Sequence, residues 1–324
     1  MKTQSIKLGL KKEKIMTEDN LKPAEYAPLI MPENVISEKI TIWSLGVALD
    51  ADIYRPKHIE KDAKLPAVVT SHGLGGDKHT AERYAASFAS KGIIAITFTV
   101  NSWRGSKGML LPAEEIPALD ANNETTMKVR MVRELVDPID WIQNFCSAVD
   151  YLRGEPNVDP DRIGAWGSSF GGGIALGAAS LDDRIKALSI QVPMASNFPE
   201  KFIPIMNQRA IEIARGKIAP IPQGTDAFPF ENTPNYGTPH FARMIQHRPT
   251  EYLTKINIPT LIIDAGNEEM MNIRENGGAA YEYLKNKGVE TYYEVIPDIT
   301  HYGIYFEGYE RGKQLALDWF LKHL

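Results

Sequence analysis

The 324-residue chain carries 36 basic against 41 acidic side chains, a formal charge of −5, and is 43% hydrophobic and 24% charged. That balance excludes a disordered or fibrous chain and supplies enough apolar surface for a large core. It also excludes the basic field that draws nucleic acid or an anionic membrane.

The N-terminal stretch MKTQSIKLGLKKEKIMTEDN is polar and lysine-rich, without the apolar segment of a signal peptide. Residues 1–34 read as an N-terminal tail or extension. No apolar run is long enough to span a bilayer, so the cytoplasm is the expected location. The alternating segments Ile36–Trp43 and Val47–Tyr54 read as an antiparallel pair turning at Leu45-Gly46. PAVVTSHGLGG reads as a buried strand entering a glycine turn, followed by a helix over Lys78–Lys91 and the strand GIIAITFTV. Gly105–Arg130, with Pro112, Pro117 and ANNETT, reads as a long irregular excursion. A helix over Pro138–Leu152 follows. Its Cys146, the only cysteine of the chain, reads as a buried structural thiol.

VDPDRIGAWGSSF then gives a short strand and a sharp corner, GGGIALGAASL a helix of small residues, and IKALSIQVP another strand. Residues 194–257 break this rhythm. Nine of the 21 prolines fall between Pro193 and Pro249, and helices are expected around Pro199–Arg215 and Phe241–Leu253. The segment reads as a helical cap or lid. Its Phe198, Phe202, Met206, Phe228, Phe230, Phe241 and Met244 could line an apolar pocket or form the cap's own core. Strand IPTLIIDAG, helix Asn272–Lys287, strand VETYYEVIP and helix Tyr309–His323 close the chain. The alternation implies an α/β fold, a mostly parallel sheet flanked by helices. Residues 35–193 and 258–324 would form the core and 194–257 the cap.

Ligands of such sheets bind beyond the carboxyl ends of the strands. Three strand ends deliver a serine, an acid and a histidine in that order. GAWGSSFGGG fits G-x-S-x-G only when centred on Ser169, with Gly167 and Gly171 at the flanks. A serine on that strained strand-to-helix corner is pushed out above the sheet. It is a weak nucleophile without a neighbouring base. His301 follows the last strand and is the best-placed base. His58, His79, His240, His247 and His323 lie on surface segments, in the insertion or at the terminus. Glu268 is the expected acid, with its neighbours Glu269 and Asp264 left as competitors. The N–H groups of Phe170 and Leu74 would form an oxyanion hole, in which one missing donor costs about 3 kcal/mol of transition-state stabilisation. His72, Trp103 and Tyr302 are candidates for the substrate pocket. His72 also reads as a brace for the glycine turn, and Arg104 as a salt-bridging scaffold residue.

GAWGSSFGGG, SHGLGG and ITHYGIY resemble the α/β-hydrolase superfamily. VDPDRIG is similar to the dienelactone hydrolase and prolyl-oligopeptidase-like branches. SWRGSKG is similar to a loop of X-Pro peptidase and cocaine-esterase-like enzymes, which usually carry a further β-rich domain for which this chain has no room. RELVDPIDWI, DPDRIGAWGSSFGGG and SIQVP resemble bacterial hydrolases related to fungal polyketide transferases and thiohydrolases. The resemblance spans residues 35–324 without the insertion. It implies a serine hydrolase acting through an acyl-enzyme on a small ester or thioester. The family's acid is often Asp, from which Glu268 departs.

An X-Pro or oligopeptidase-like peptidase, an acyltransferase, and a non-catalytic binding protein on the same fold are the alternatives. No cofactor is expected: the sequence holds no P-loop, dinucleotide fingerprint or zinc-ligand spacing. Self-association into a homo-oligomer is left open.

Overall fold

The structure, a computed structural model, describes residues 26–218 and 237–324. Residues 1–25 of the expected tail, and Phe228 and Phe230 of the insertion, lie outside the described residues. Residues 26–34 are not free of the core, because Tyr26 and Leu29 pack against one of its apolar clusters.

Strands β1 (Val35–Ser44) and β2 (Val47–Pro56) pair antiparallel along their whole length, from Val35↔Pro56 to Ser44↔Val47. Their turn works because Leu45 and Gly46 both take positive φ, 47° and 80°, which matches the right-handed strand twist. Next come β3 (Leu65–Ser71), α1 (Glu82–Ala89) and β4 (Ile94–Phe98). The helix expected from Lys78 starts later. Asp77 and Thr80 close a separate 3-10 turn over Lys78–Thr80, and the Lys78 ammonium is drawn between Asp50 and Asp52.

The excursion expected to be irregular contains a ribbon, β5 (Leu110–Pro112) against β6 (Val129–Met131). At its tip the Asp120 carboxylate accepts the N–H groups of Asn122 and Glu124 at 2.8 and 2.9 Å. Almost every residue from Met109 to Met131 is exposed.

Strand β7 (Leu135–Val136) leads into α2 (Pro138–Gly154), whose first turn is capped by Asp137, with a proline where no N–H is needed. Then follow β8 (Val158–Ser168), α3 (Phe170–Leu181) and β9 (Ile185–Gln191). The insertion holds α4 (Ile203–Ala214), β10 (Thr238–Pro239), α5 (Phe241–Gln246) and α6 (Pro249–Leu253). The single helix expected over Phe241–Leu253 breaks at His247 and Arg248, because the residue before a proline is pushed off the helical region. Strand β11 (Thr260–Ala265), α7 (Gly277–Lys287), β12 (Thr291–Ile296) and α8 (Tyr309–His323) complete the chain. Helix α7 starts five residues later than expected. Asn276 spends its side chain on the N–H groups of Ala195 and Ser196, and Gly277 leaves room for Asp264.

Eight strands form one sheet in the order β1-β2-β4-β3-β8-β9-β11-β12. Every pairing from β4 to β12 is parallel. One face is covered by α2, α3, α6 and α7, the other by α1 and α8. With both faces buried, the central strands read as continuous apolar runs rather than alternating ones. Among the described residues, no helix is long and apolar enough to cross a membrane.

Candidate active site

Strand β8 ends in the corner that carries Ser169, whose φ of 57° and ψ of −127° lie outside the regions a side chain prefers. Such a conformation costs on the order of 1–3 kcal/mol and persists because the surroundings fix it. Here the surroundings are backbone. A Cβ on Gly167 would meet the Gly171 carbonyl at 2.3 Å, and one on Gly171 would meet the His72 carbonyl at 2.2 Å. The Ser169 N–H donates to Gln191 O at 3.0 Å, and its carbonyl accepts from Gly172 and Met194.

Glu268 lies three residues beyond β11 and His301 five beyond β12. The two loops bring them to Ser169. His301 Nε2 stands 2.9 Å from Ser169 Oγ, and Nδ1 stands 2.8 and 3.0 Å from the two Glu268 oxygens. A carboxylate can only accept, so Nδ1 carries the proton and Nε2 presents its lone pair to the hydroxyl. The His301 and Glu268 side chains are 1% and 3% exposed, so this pair lies away from bulk water. Glu268 Oε1 also accepts the N–H groups of Met270 and Met271 at 2.9 and 3.2 Å, which fixes the carboxylate in its loop.

The two competing acids are placed differently. Glu269 Oε2 accepts the His301 backbone N–H at 2.8 Å and so holds the loop rather than the ring. Asp264 is buried within β11 and accepts from Tyr293 OH at 2.9 Å. Burial raises its carboxyl to about 7.

The glycine turn after β3 abuts the Ser169 corner: a Cβ on Gly73 would lie 3.0 Å from Ser169 Cβ. The N–H groups of Leu74 and Phe170 take no partner among the described residues. His72 is fully spent on this turn. Its Nε2 accepts the Val100 N–H at 3.2 Å, so Nδ1 is the protonated nitrogen and donates to Gly73 O at 2.8 Å. Burial lowers its basicity, in keeping with that neutral form. Arg104 holds the same turn, with Nη2 donating to Gly75 O at 2.6 Å and Nε 3.2 Å from Asp77.

Trp103 is buried, donates Nε1–H to Leu135 O at 2.8 Å and packs edge-on against Trp141. Tyr302 is half-buried with its ring edge-on to His301 at 5.4 Å. His72 and Trp103 are therefore buried and bonded to backbone, and Tyr302 stands beside His301.

Sequence reasoning passed over His247. Its ring lies 5.6 Å from that of Phe170, and burial lowers its imidazole to about 3. It also lines a cleft of about 640 Å³ with Phe198, Ile203, Pro204 and Met244, between α4 and α5. No local motif marks such a residue, because its contacts come from the folding of the insertion onto α3. The lone thiol, Cys146, is half-buried and raised to about 11 by burial, which leaves it unreactive. Among the described residues, no cluster of His, Cys, Asp and Glu could hold a metal ion.

Comparison with known proteins agrees with this architecture. The profile of the acetyl xylan esterase (AXE1) family matches residues 41–214. An uncharacterized 31.7 kDa Escherichia coli protein from the traX-finO intergenic region is 26% identical over 82% of this chain and 93% of its own. The thiohydrolase aneE of Aspergillus aculeatus is 30% identical over 51% of this chain and 47% of its own. The α/β hydrolase GrgF of a Penicillium species superposes with a TM-score of 0.65 at 16% identity, covering 89% of this chain and 99% of its own. The sheet order, the covering helices and this likeness make the fold that of the α/β hydrolases.

Proposed function

The chain belongs to the acetyl xylan esterase family, and we propose that it is a serine hydrolase cleaving carboxylic ester or thioester bonds through an acyl-enzyme. The observation that carries this reading is the His301 ring, bonded on one side to Glu268 and on the other to Ser169 Oγ. Ser169 attacks the acyl carbonyl while its proton passes to His301 Nε2. The imidazolium so formed is stabilised by the buried Glu268 carboxylate. The tetrahedral oxyanion lies between the N–H groups of Phe170 and Leu74, and the N-terminal end of α3 adds its positive dipole. Collapse expels the leaving alkoxide or thiolate, which takes the proton from Nε2. Water, deprotonated by the same nitrogen, then attacks the acyl-enzyme, and the acid leaves as Ser169 regains its proton.

Residues 194–257 serve in this reading as a cap, supported by the cleft between α4 and α5 and by Phe198 and Met244 packing on the core beneath. The substrate is a small acyl ester or thioester. The relationship to the Aspergillus thiohydrolase keeps thioesters beside oxygen esters.

Turnover of p-nitrophenyl acetate and butyrate tests the reading. Ser169→Ala should lose at least about 10⁴-fold in kcat, and a fluorophosphonate probe should label wild type but not the variant. Equal turnover by the two proteins would end the assignment. Parallel series of esters and thioesters of rising chain length would define the acyl group.

A further inference from the structure

The second serine of the corner is not idle. Ser168 closes β8 with its side chain on the sheet face covered by α1 and α8, opposite to Ser169. It is fully buried, as is Gln191, and its other partner Tyr305 is 4% exposed. Tyr305 OH lies 2.5 Å from Ser168 Oγ, and Gln191 Nε2 donates to the same oxygen at 3.1 Å. Gln191 also accepts the Ser169 N–H on its backbone carbonyl at 3.0 Å, so one residue grips the corner through main chain and side chain.

Tyr305 ends the 3-10 turn Tyr302–Tyr305 that starts directly after His301. That turn is tied down independently. The Ile304 carbonyl accepts from Tyr84 OH at 3.3 Å, the Tyr305 carbonyl accepts from Arg83 at 3.1 Å, and the Tyr305 ring meets Tyr26 edge-on. Burial keeps the phenol protonated, well above its ordinary range.

The chain segments that carry Ser169 and His301 are therefore joined twice. One link is the reacting pair itself, at 2.9 Å. The other is Ser168–Tyr305, one residue back on the first segment and one short turn on in the second. Together they close a ring of two hydrogen bonds and two short stretches of backbone. A hydrogen bond between two buried neutral hydroxyls is rigid because neither partner has water to exchange with.

We propose that Tyr305, through Ser168 and Gln191, is a positioning residue that sets the distance between Ser169 Oγ and His301 Nε2. The proposal rests on the serine-hydrolase reading above and deepens it.

The test uses Tyr305→Phe, Ser168→Ala and the double variant in the full chain. Tyr305→Phe leaves Ser168 bonded to Gln191, so the protein should fold. Misplacement of reacting groups is expressed in turnover rather than in binding, so each single variant should lower kcat by about tenfold with KM within about twofold. The double variant should be no slower than the slower single, because both remove one link. A purely structural role would lower the melting temperature and leave kcat of the folded enzyme unchanged, which would overturn the proposal. A crystal structure of Tyr305→Phe gives a readout independent of activity. The Ser169–His301 separation should open beyond hydrogen-bond range, and a separation still at 2.9 Å would overturn the brace. Wild-type protein inert to esters and to fluorophosphonate would instead sink the serine-hydrolase reading, with the brace still decided by that distance.

Discussion

The corner carrying Ser169 and the two loops carrying Glu268 and His301 meet at one point but are built differently. The corner is fixed by backbone against backbone. Gly167 and Gly171 sit where a methyl group would come within 2.3 and 2.2 Å of a backbone carbonyl, and Gly172 where it would come within 2.8 Å of the Pro193 ring. The loops share two backbone hydrogen bonds, Gly266 N–H to Ile296 O and Asn267 N–H to Ile299 O, and are otherwise fixed by side chains reaching backbone. Glu268 takes the N–H groups of Met270 and Met271, Glu269 takes that of His301, and the Thr300 hydroxyl takes that of Gly303. The first device tolerates no added atom. The second degrades by steps, one hydrogen bond at a time.

Substitutions can break or sharpen that contrast. Gly171→Ala should have the largest effect. The clash falls on the His72 carbonyl, which cannot swing aside as a flexible side chain would. The cost should reach about 3 kcal/mol or more, visible as a collapse of the thermal transition together with loss of esterase activity. Glu268→Gln comes next. An amide can turn an N–H toward Nδ1 and stabilise the wrong tautomer, so kcat should fall by about 10³- to 10⁴-fold while circular dichroism stays native. Glu269→Gln should be far milder, because an amide oxygen can still accept the His301 N–H. A loss of about tenfold or less in kcat is expected, and a larger loss would show that the negative charge itself matters.

The last effect should be on stability alone. Burial raises Asp264 to about 7 from an ordinary 3.8. The folded protein therefore binds a proton more tightly there than the unfolded chain does. The favourable contribution is full below about pH 4 and is lost as pH rises through about 7. Asp264→Asn keeps an acceptor for Tyr293 OH and removes the titration. It should raise unfolding free energy at pH 8 by about 2 kcal/mol and leave stability at pH 4 little changed, as urea melts at the two pH values would show.

The same contrast explains what could be read from the sequence. Ser169 stood out because backbone contact demands glycine at fixed offsets, and fixed offsets are visible in a string. The parallel sheet was legible from the alternation of apolar runs with helical patterns. Glu268 is preferred to Glu269 only for its place past the strand. They are adjacent on a loop, and only the turn through Met270 and Met271 decides which carboxylate faces the ring and which the backbone. Ser168 and Tyr305 are 137 positions apart, and no local pattern records their pairing. The ribbon of β5 and β6 was missed because each strand is three residues long and one ends in proline. The late start of α7 was missed because its cause, Asp264, lies on another element.

That ribbon has a consequence for how the protein can be divided. Its tip at Asp120–Glu124 falls between the strands of one half of the sheet and those of the other. β1, β2, β4 and β3 lie before it, and β8, β9, β11 and β12 after it, in that spatial order. Cutting the chain there separates two contiguous half-sheets that meet in the eight-stranded sheet at the seam where β3 pairs with β8, while β5 and β6 of the ribbon fall on opposite sides of the cut. The later fragment would own Ser169, Glu268 and His301, and the earlier one the Leu74 turn that faces them. Two separately expressed fragments would have to rejoin along that seam before an acyl group could be cleaved, which turns the enzyme into a reporter of its own reassembly.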